Sequence, residues 1–231
     1  MPRRPRAIFP GVAHHITQRG NNRQPVFYCN GDRRLYLGLL TGHALQHGTH
    51  IISYCLMTNH VHLVVVPECE HSLARTLGRT HSQYAQALNQ TRKRSGHLWQ
   101  NRFFSCPLDA SHLENTIRYV ELNPVRAGLI IMPWDWPWSS ARAHSLEGAK
   151  DKVLDANWAS HFDGWDYGGW KERLLGGMSD GDTDAVRRAT QTGEPLGSRE
   201  FLRRLERYAG RRLSVLERGR PRKSRSQPDA A

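Results

Sequence analysis

Apolar residues recur along the first 145 positions with two different periods, and the places where the period switches divide the chain into strands and helices. HHITQRG alternates weakly and predicts a strand over 12–19, and GNNRQPVF after it reads as a polar loop. Leu35, Leu39, Leu40 and Leu45 stand at helical spacing and predict a helix that Gly48 ends. Two apolar runs, 51–57 and 61–66, flank the polar break Thr58-Asn59 and predict a β-hairpin. Leu73, Leu77, Tyr84 and Leu88 fall on one face of a second helix over 72–90. LWQNRFFSCPL then reads as a further strand, and the capping-box spacing of Ser111 and Glu114 opens a third helix that must stop before Pro124. The order β-α-β-β-α-β-α describes an α+β protein with a ferredoxin-like sandwich, an antiparallel sheet with helices on one face. A mostly helical, basic extension follows it.

Composition narrows the class. The 231 residues carry a net charge of +12, and a hydrophobic fraction of 38% suffices to build a core. One or two domains are expected, with a polyanion as partner. No run approaches the roughly 18 apolar residues of a membrane span, and the N-terminus lacks the apolar core of a secretory signal. A cytoplasmic, nucleoid-associated protein with no membrane partner is therefore expected. Four cysteines, at 29, 55, 69 and 106, form no C-x-x-C pair, which excludes a disulfide scaffold or an all-cysteine zinc site. Charge is segregated: residues 1–150 hold 17 basic and 8 acidic side chains, 151–186 hold 3 and 8, and 187–231 hold 13 and 5. This predicts a catalytic domain over 1–150, an acidic Gly/Trp-rich connecting segment over 151–199, and a basic helix and tail over 200–231. The acidic stretch reads as a solvated linker.

Two short patterns carry candidate chemistry. His60 and His62 flank Val61, so on a strand both imidazoles leave the same face and can form a two-pronged metal claw. The same pattern also fits two polar residues on a wet strand face. Tyr119 and Asn123 are four apart and share a helical face, where a phenol and an amide oxygen can address one ion. Taken alone, a tyrosine on an amphipathic helix is more often a core-edge residue, and Asn123 before Pro124 also fits a helix stop.

Together, H-hydrophobic-H on a strand followed by a helix with Y-x-x-x-N resembles the HUH single-tyrosine transposases, and the wording is closest to the REP-associated tyrosine transposases. PGVAHHITQRGNNRQPVF, SYCLMTNHVHLVVVP, HLWQNRF, YVELNPVRAGL and WPWSSARAH occur in that family's order over roughly residues 8–145. The resemblance implies a ferredoxin-like catalytic domain and a divalent metal, Mg²⁺ or Mn²⁺, held by His60, His62 and Asn123. It also implies Tyr119 as nucleophile, a 5′-phosphotyrosine intermediate, and single-stranded or hairpin DNA of the repetitive extragenic palindrome type as substrate. Insertion-sequence relatives usually carry Gln where Asn123 stands. Arg118 and Arg126 neighbour the nucleophile and could supply charge or touch phosphate.

Candidate DNA contacts are Arg3, Arg4 and Arg6, then Arg19, Asn21, Asn22 and Arg23, then Arg75, Arg79 and the run Arg92-Lys93-Arg94. In the tail, Arg218 and Arg220 belong to an R-G-R-P core of the type that enters a narrow minor groove, and a disordered basic tail explains it equally. Before it, Phe201, Leu202, Leu205 and Tyr208 line one face of a predicted helix. The alternative function is a non-catalytic hairpin-binding regulator on the same fold. Monomer and homodimer both remain open.

Overall fold

The computed structural model describes residues 7–162 and 164–214. The elements follow the order β1 (His14–Arg19), α1 (Asn30–Gln46), β2 (Thr49–Leu56), β3 (His60–Pro67), α2 (Ser72–Thr91), β4 (Phe104–Pro107), α3 (Ala110–Glu121), α4 (Asn123–Arg126), α5 (Ala141–Ser145), α6 (Tyr167–Leu175), α7 (Asp180–Thr192) and α8 (Arg199–Ala209). The sheet is antiparallel, in the order β2-β3-β1-β4. The α+β sandwich and the helical extension read from the sequence are both present.

Strand alternation makes two cores. Ile16, Val61, Leu63 and Val65 point to one face, where Tyr36, Leu40, Leu73, Leu77 and Tyr84 of α1 and α2 cover them. Val64, Val66 and Cys106 point to the other, against Leu113, Ile117 and Val120 of α3. A register shift between Ile51 and Ser53 changes the phase of β2, so Ile51 and Tyr54 face the first core while Ile52 and Cys55 face the second. Helices therefore cover both faces of the sheet, not one as expected, because the chain beyond β4 also carries apolar helical faces.

The local differences have identifiable causes. The inward face of α1 is Arg33, Tyr36, Leu40 and Ala44, while Leu35 is exposed and Leu45 is 88% exposed. Of the expected leucine stripe, Leu40 is buried and Leu39 packs against the core while Leu35 and Leu45 do not, because Arg33, Tyr36 and Ala44 supply the rest of the inward face. The cap of α3 is Asp109, whose carboxylate accepts from the His112 amide, not the Ser111/Glu114 box. Only Phe104–Pro107 of the segment 98–108 pairs as a strand. Asn21–Arg23 form a 3₁₀ turn, and the predicted polar loop buries Val26 and Phe27 completely.

The acidic segment is not a solvated linker. Trp170 and Leu174 of α6 and Val186 and Ala189 of α7 are buried in the core beneath α3. Trp170 Nε1 donates to Glu121 Oε2 at 3.0 Å, while Ser140 (2.6 Å) and His144 (2.5 Å) bond Glu121 Oε1. All four side chains are buried, and together they fix the C-terminal turn of α3. Apolar residues spaced within an acidic stretch thus build a face that net charge concealed. Phe201 and Leu205 of α8 pack on Phe9, while Tyr208 stays largely exposed and donates to Glu70 at 3.0 Å. No helix among the described residues is long and apolar enough to cross a membrane.

Candidate active site

Three elements bring the candidate residues together on the α3 side of the sheet. On β3, His60 and His62 alternate with core-facing Val61 and Leu63, and their ring centroids lie 5.0 Å apart. The antiparallel register places Arg19 opposite His60 and Thr17 opposite His62, with His15 two residues further along β1 on the same face. From above, α3 lowers Tyr119 to 5.7 Å from the His62 ring and 5.9 Å from the His15 ring, edge-on to both. Tyr119 is 7% exposed, and the Arg126 guanidinium lies 4.2 Å from its ring centre. Arg126 also donates to the Tyr119 carbonyl at 2.7 Å, which ties α4 to α3.

The surroundings keep the imidazoles neutral. Burial lowers His60 to about 4, with the Arg19 charge adding to the effect. Burial takes His15 to about 3. It also holds His62 well below its ordinary value, helped by His60, His15, Arg126 and Arg19. His60 Nδ1 lies 2.6 Å from Asn59 Oδ1, and Asn59 Nδ2 donates to the Arg23 carbonyl at 3.0 Å. The amide is thereby oriented with its oxygen toward the ring, so His60 Nδ1 carries the hydrogen and Nε2 the lone pair. Such a nitrogen is a metal donor.

Asn123 opens α4, and its Nδ2 donates back to the carbonyls of Tyr119 (3.1 Å) and Val120 (3.3 Å), which ties the amide to the end of α3. Its hydrogen bonds run to α3, not to the histidines. Arg118 turns away from the site: it donates to Asn115 Oδ1 and to the carbonyls of Arg173 and Gly177 at the end of α6. There it serves as a C-cap strap. Among the described residues, no group of three or more His, Cys, Asp or Glu side chains is arranged to hold a metal. A cation here would need an amide, substrate or water oxygen beside the two imidazoles.

Residues 9–123 match the model of the IS200-like transposases, a span that contains β1, the β3 histidines, Tyr119 and Asn123. That segment belongs to the IS200-like transposase family. A Haemophilus influenzae protein described as a REP-associated tyrosine transposase is 25% identical over 123 residues, which cover 48% of this chain and 68% of that one. A solved REP-associated tyrosine transposase bound to a REP hairpin superposes with a TM-score of 0.55 at 17% identity, over 68% of this chain and 92% of that one. The two proteins share the fold.

Around the IS200-like transposase core, the candidate DNA contacts fall into groups. Asn22 and Arg23 adopt positive φ (51° and 58°), so the turn after β1 holds a left-handed kink beside the hairpin tip. Arg94 donates to Gln24 Oε1 (2.5 Å) and to the Tyr28 hydroxyl (2.6 Å), and the Arg92 guanidinium sits 3.8 Å over the Tyr28 ring. The 21–24 turn and the 92–94 run, read separately in the sequence, thus form one basic patch. Through Arg23 and Asn59 that patch connects to His60. Arg19 lies at the site itself. Arg75 and Arg79 stand on α2, whose buried face packs on the opposite side of the sheet. Arg3, Arg4, Arg6, Arg218 and Arg220 lie outside the described residues.

Sequence reasoning missed His15, Asn59 and Thr190. Asn59 had a signal, since it precedes the H-x-H pattern directly. His15 could be read only once β1 was known to lie beside β3.

Proposed function

We propose that this protein is a metal-dependent single-stranded DNA endonuclease and strand transferase acting on hairpin DNA through a 5′-phosphotyrosine intermediate. The convergence of His60, His62 and Tyr119 from β3 and α3 on one sheet face carries the reading. The family consists of transposases, and the relative of like fold was solved on a REP hairpin, which supports hairpin DNA as the substrate class.

The group implied is Mg²⁺ or Mn²⁺, and the chemistry of the donor set fits it: two neutral imidazoles, one with its Nδ1 hydrogen bonded to Asn59, and an amide whose nitrogen is engaged by α3 carbonyls, so that its oxygen is the atom left to bind metal. His60, His62 and Asn123 would hold the ion, which when bound polarises the scissile phosphate as a Lewis acid. Tyr119 attacks phosphorus through its hydroxyl oxygen; the bond from phosphorus to the 3′-oxygen breaks, the phenolic proton leaves, and the 3′-oxygen ends as a hydroxyl. Arg126 places a positive charge against the ring on which the phenolate develops. Arg19 is positioned beside His60 to contact a non-bridging phosphate oxygen. Conserving the phosphoester energy in the tyrosine linkage allows rejoining without a nucleotide cofactor. The basic patch of Arg23, Arg92, Lys93 and Arg94, with Asn21 and Asn22 at its edge, offers the adjoining surface for the DNA backbone.

The test is cleavage of a labelled hairpin oligonucleotide with Mn²⁺, with EDTA, and with the His60→Ala and His62→Ala variants. Loss of cutting in EDTA and in both variants is expected. Undiminished cutting in EDTA would remove the metal from the mechanism.

A further inference from the structure

We propose that His15 and Thr190 are positioning residues that fix which nitrogen of His62 is free to bind metal, so that α7 of the C-terminal extension completes the site. The proposal rests on the reading of His62 as a metal ligand. Its geometry is a chain of three hydrogen bonds. Thr190 Oγ1 donates its one hydrogen to the Val186 carbonyl at 2.7 Å, one turn back along α7. Toward His15 Nδ1, 2.7 Å away, that hydroxyl can only accept, so His15 Nδ1 carries the hydrogen.

The groups that hydrogen-bond or pack by ring contact on His15 are Thr190, His62 and Tyr119, its strand partners are Val64 and Cys106, none of them is acidic, and the ring is buried. A cation there would stand unpaired in an apolar setting, so the ring is neutral and its Nε2 is an acceptor. Nε2 lies 2.9 Å from His62 Nδ1, and the rings are within 12° of coplanar with centroids 5.2 Å apart, the arrangement of an edge-to-edge N–H···N bond. His62 Nδ1 therefore carries a hydrogen, and its Nε2 holds the lone pair. Asn59 does the same for His60 from the hairpin tip. The two ligands are thus set by different parts of the chain, and one of those parts lies 175 residues from His15.

Replacing Thr190 by Val keeps the volume and removes the acceptor. His15 then has no reason to keep its hydrogen on Nδ1, and the whole chain can reverse so that His62 Nε2 becomes protonated. Thr190→Ser keeps the hydroxyl and is the rescue control. Two measurements decide. In the first, imidazole ¹⁵N shifts of the metal-free wild type are expected to show His15 and His62 as Nδ1–H tautomers, and Thr190→Val to shift His62 toward Nε2–H. A wild-type His62 protonated on Nε2 would overturn the proposal whether or not any variant folds. In the second, Mn²⁺ binding is expected to weaken at least about tenfold in Thr190→Val and less than about twofold in Thr190→Ser. Equal Mn²⁺ affinity in a folded Thr190→Val would also overturn it. Wild-type Mn²⁺ binding that survives His62→Ala would instead overturn the ligand reading of His62, a result separate from the tautomer.

Discussion

Truncating Trp170 to alanine tests whether the acidic segment belongs to the folded core. The indole is 2% exposed, packs among Leu174, Val186 and the α3 side chains, and donates to the fully buried Glu121. Removing a buried tryptophan costs about 3–5 kcal/mol through lost burial and the cavity left behind. Leaving Glu121 Oε2 without its donor adds about 1–3 kcal/mol, part of which overlaps with the first term. A loss of about 4–6 kcal/mol is a large fraction of the ~5–15 kcal/mol that holds a typical domain. Trp170→Phe retains most of the packing and loses the N–H with a small part of the ring volume, so at about 1–3 kcal/mol or slightly more it separates the hydrogen bond from most of the burial. Urea unfolding followed by circular dichroism at 222 nm reads both variants. A Trp170→Ala protein within about 1 kcal/mol of wild type would refute the burial argument and return the segment to a linker.

Two further outcomes follow from charge. Burial holds His14 at about 4 against an ordinary 6.5, so the neutral ring's contribution is complete above 6.5 and is lost as pH falls toward 4. Between pH 7 and 5 this amounts to about 2 kcal/mol, and His14→Gln should flatten the pH dependence of unfolding by that amount; an unchanged dependence would show that the ring does not titrate as its burial requires. For DNA, Arg94→Ala should lower the slope of log K against log salt by about 0.7 for a single-strand contact, and removal of residues 215–231 should lower it further. A slope unmoved by either change would place both away from the phosphates. A cut after 199 would be a poorer test, because it removes α8 and uncovers Phe9.

Much of this was legible in the chain because strand and helix periods are local. The alternation around Val61 put both histidines on one face, whereas Tyr119 and Asn123, expected to share one helical face, stand on the successive helices α3 and α4 because the chain breaks at Leu122 before Pro124. What stayed hidden depends on register and on distant partners. His15 acquires meaning only when β1 lies against β3, and Thr190 only when α7 packs beneath them. The core role of α6 and α7 was masked by acidic residues on their outer faces. Leucine spacing gave only part of the inward face of α1, Leu39 and Leu40, because exposed leucines such as Leu35 and Leu45 are common and say little about which face is inward.

The most direct measurement is trapping of the covalent intermediate. A hairpin oligonucleotide labelled on the 3′ side of the cut is incubated with Mn²⁺ and wild-type or Tyr119→Phe protein, and the adduct is resolved by denaturing electrophoresis and mapped by mass spectrometry. Wild-type protein is expected to retain the label on Tyr119 and release a strand ending in a 3′-hydroxyl, while Tyr119→Phe folds, binds the hairpin and forms no adduct. Cutting by Tyr119→Phe at a rate comparable to wild type, or an adduct mapped to another residue, would contradict the assignment of the nucleophile.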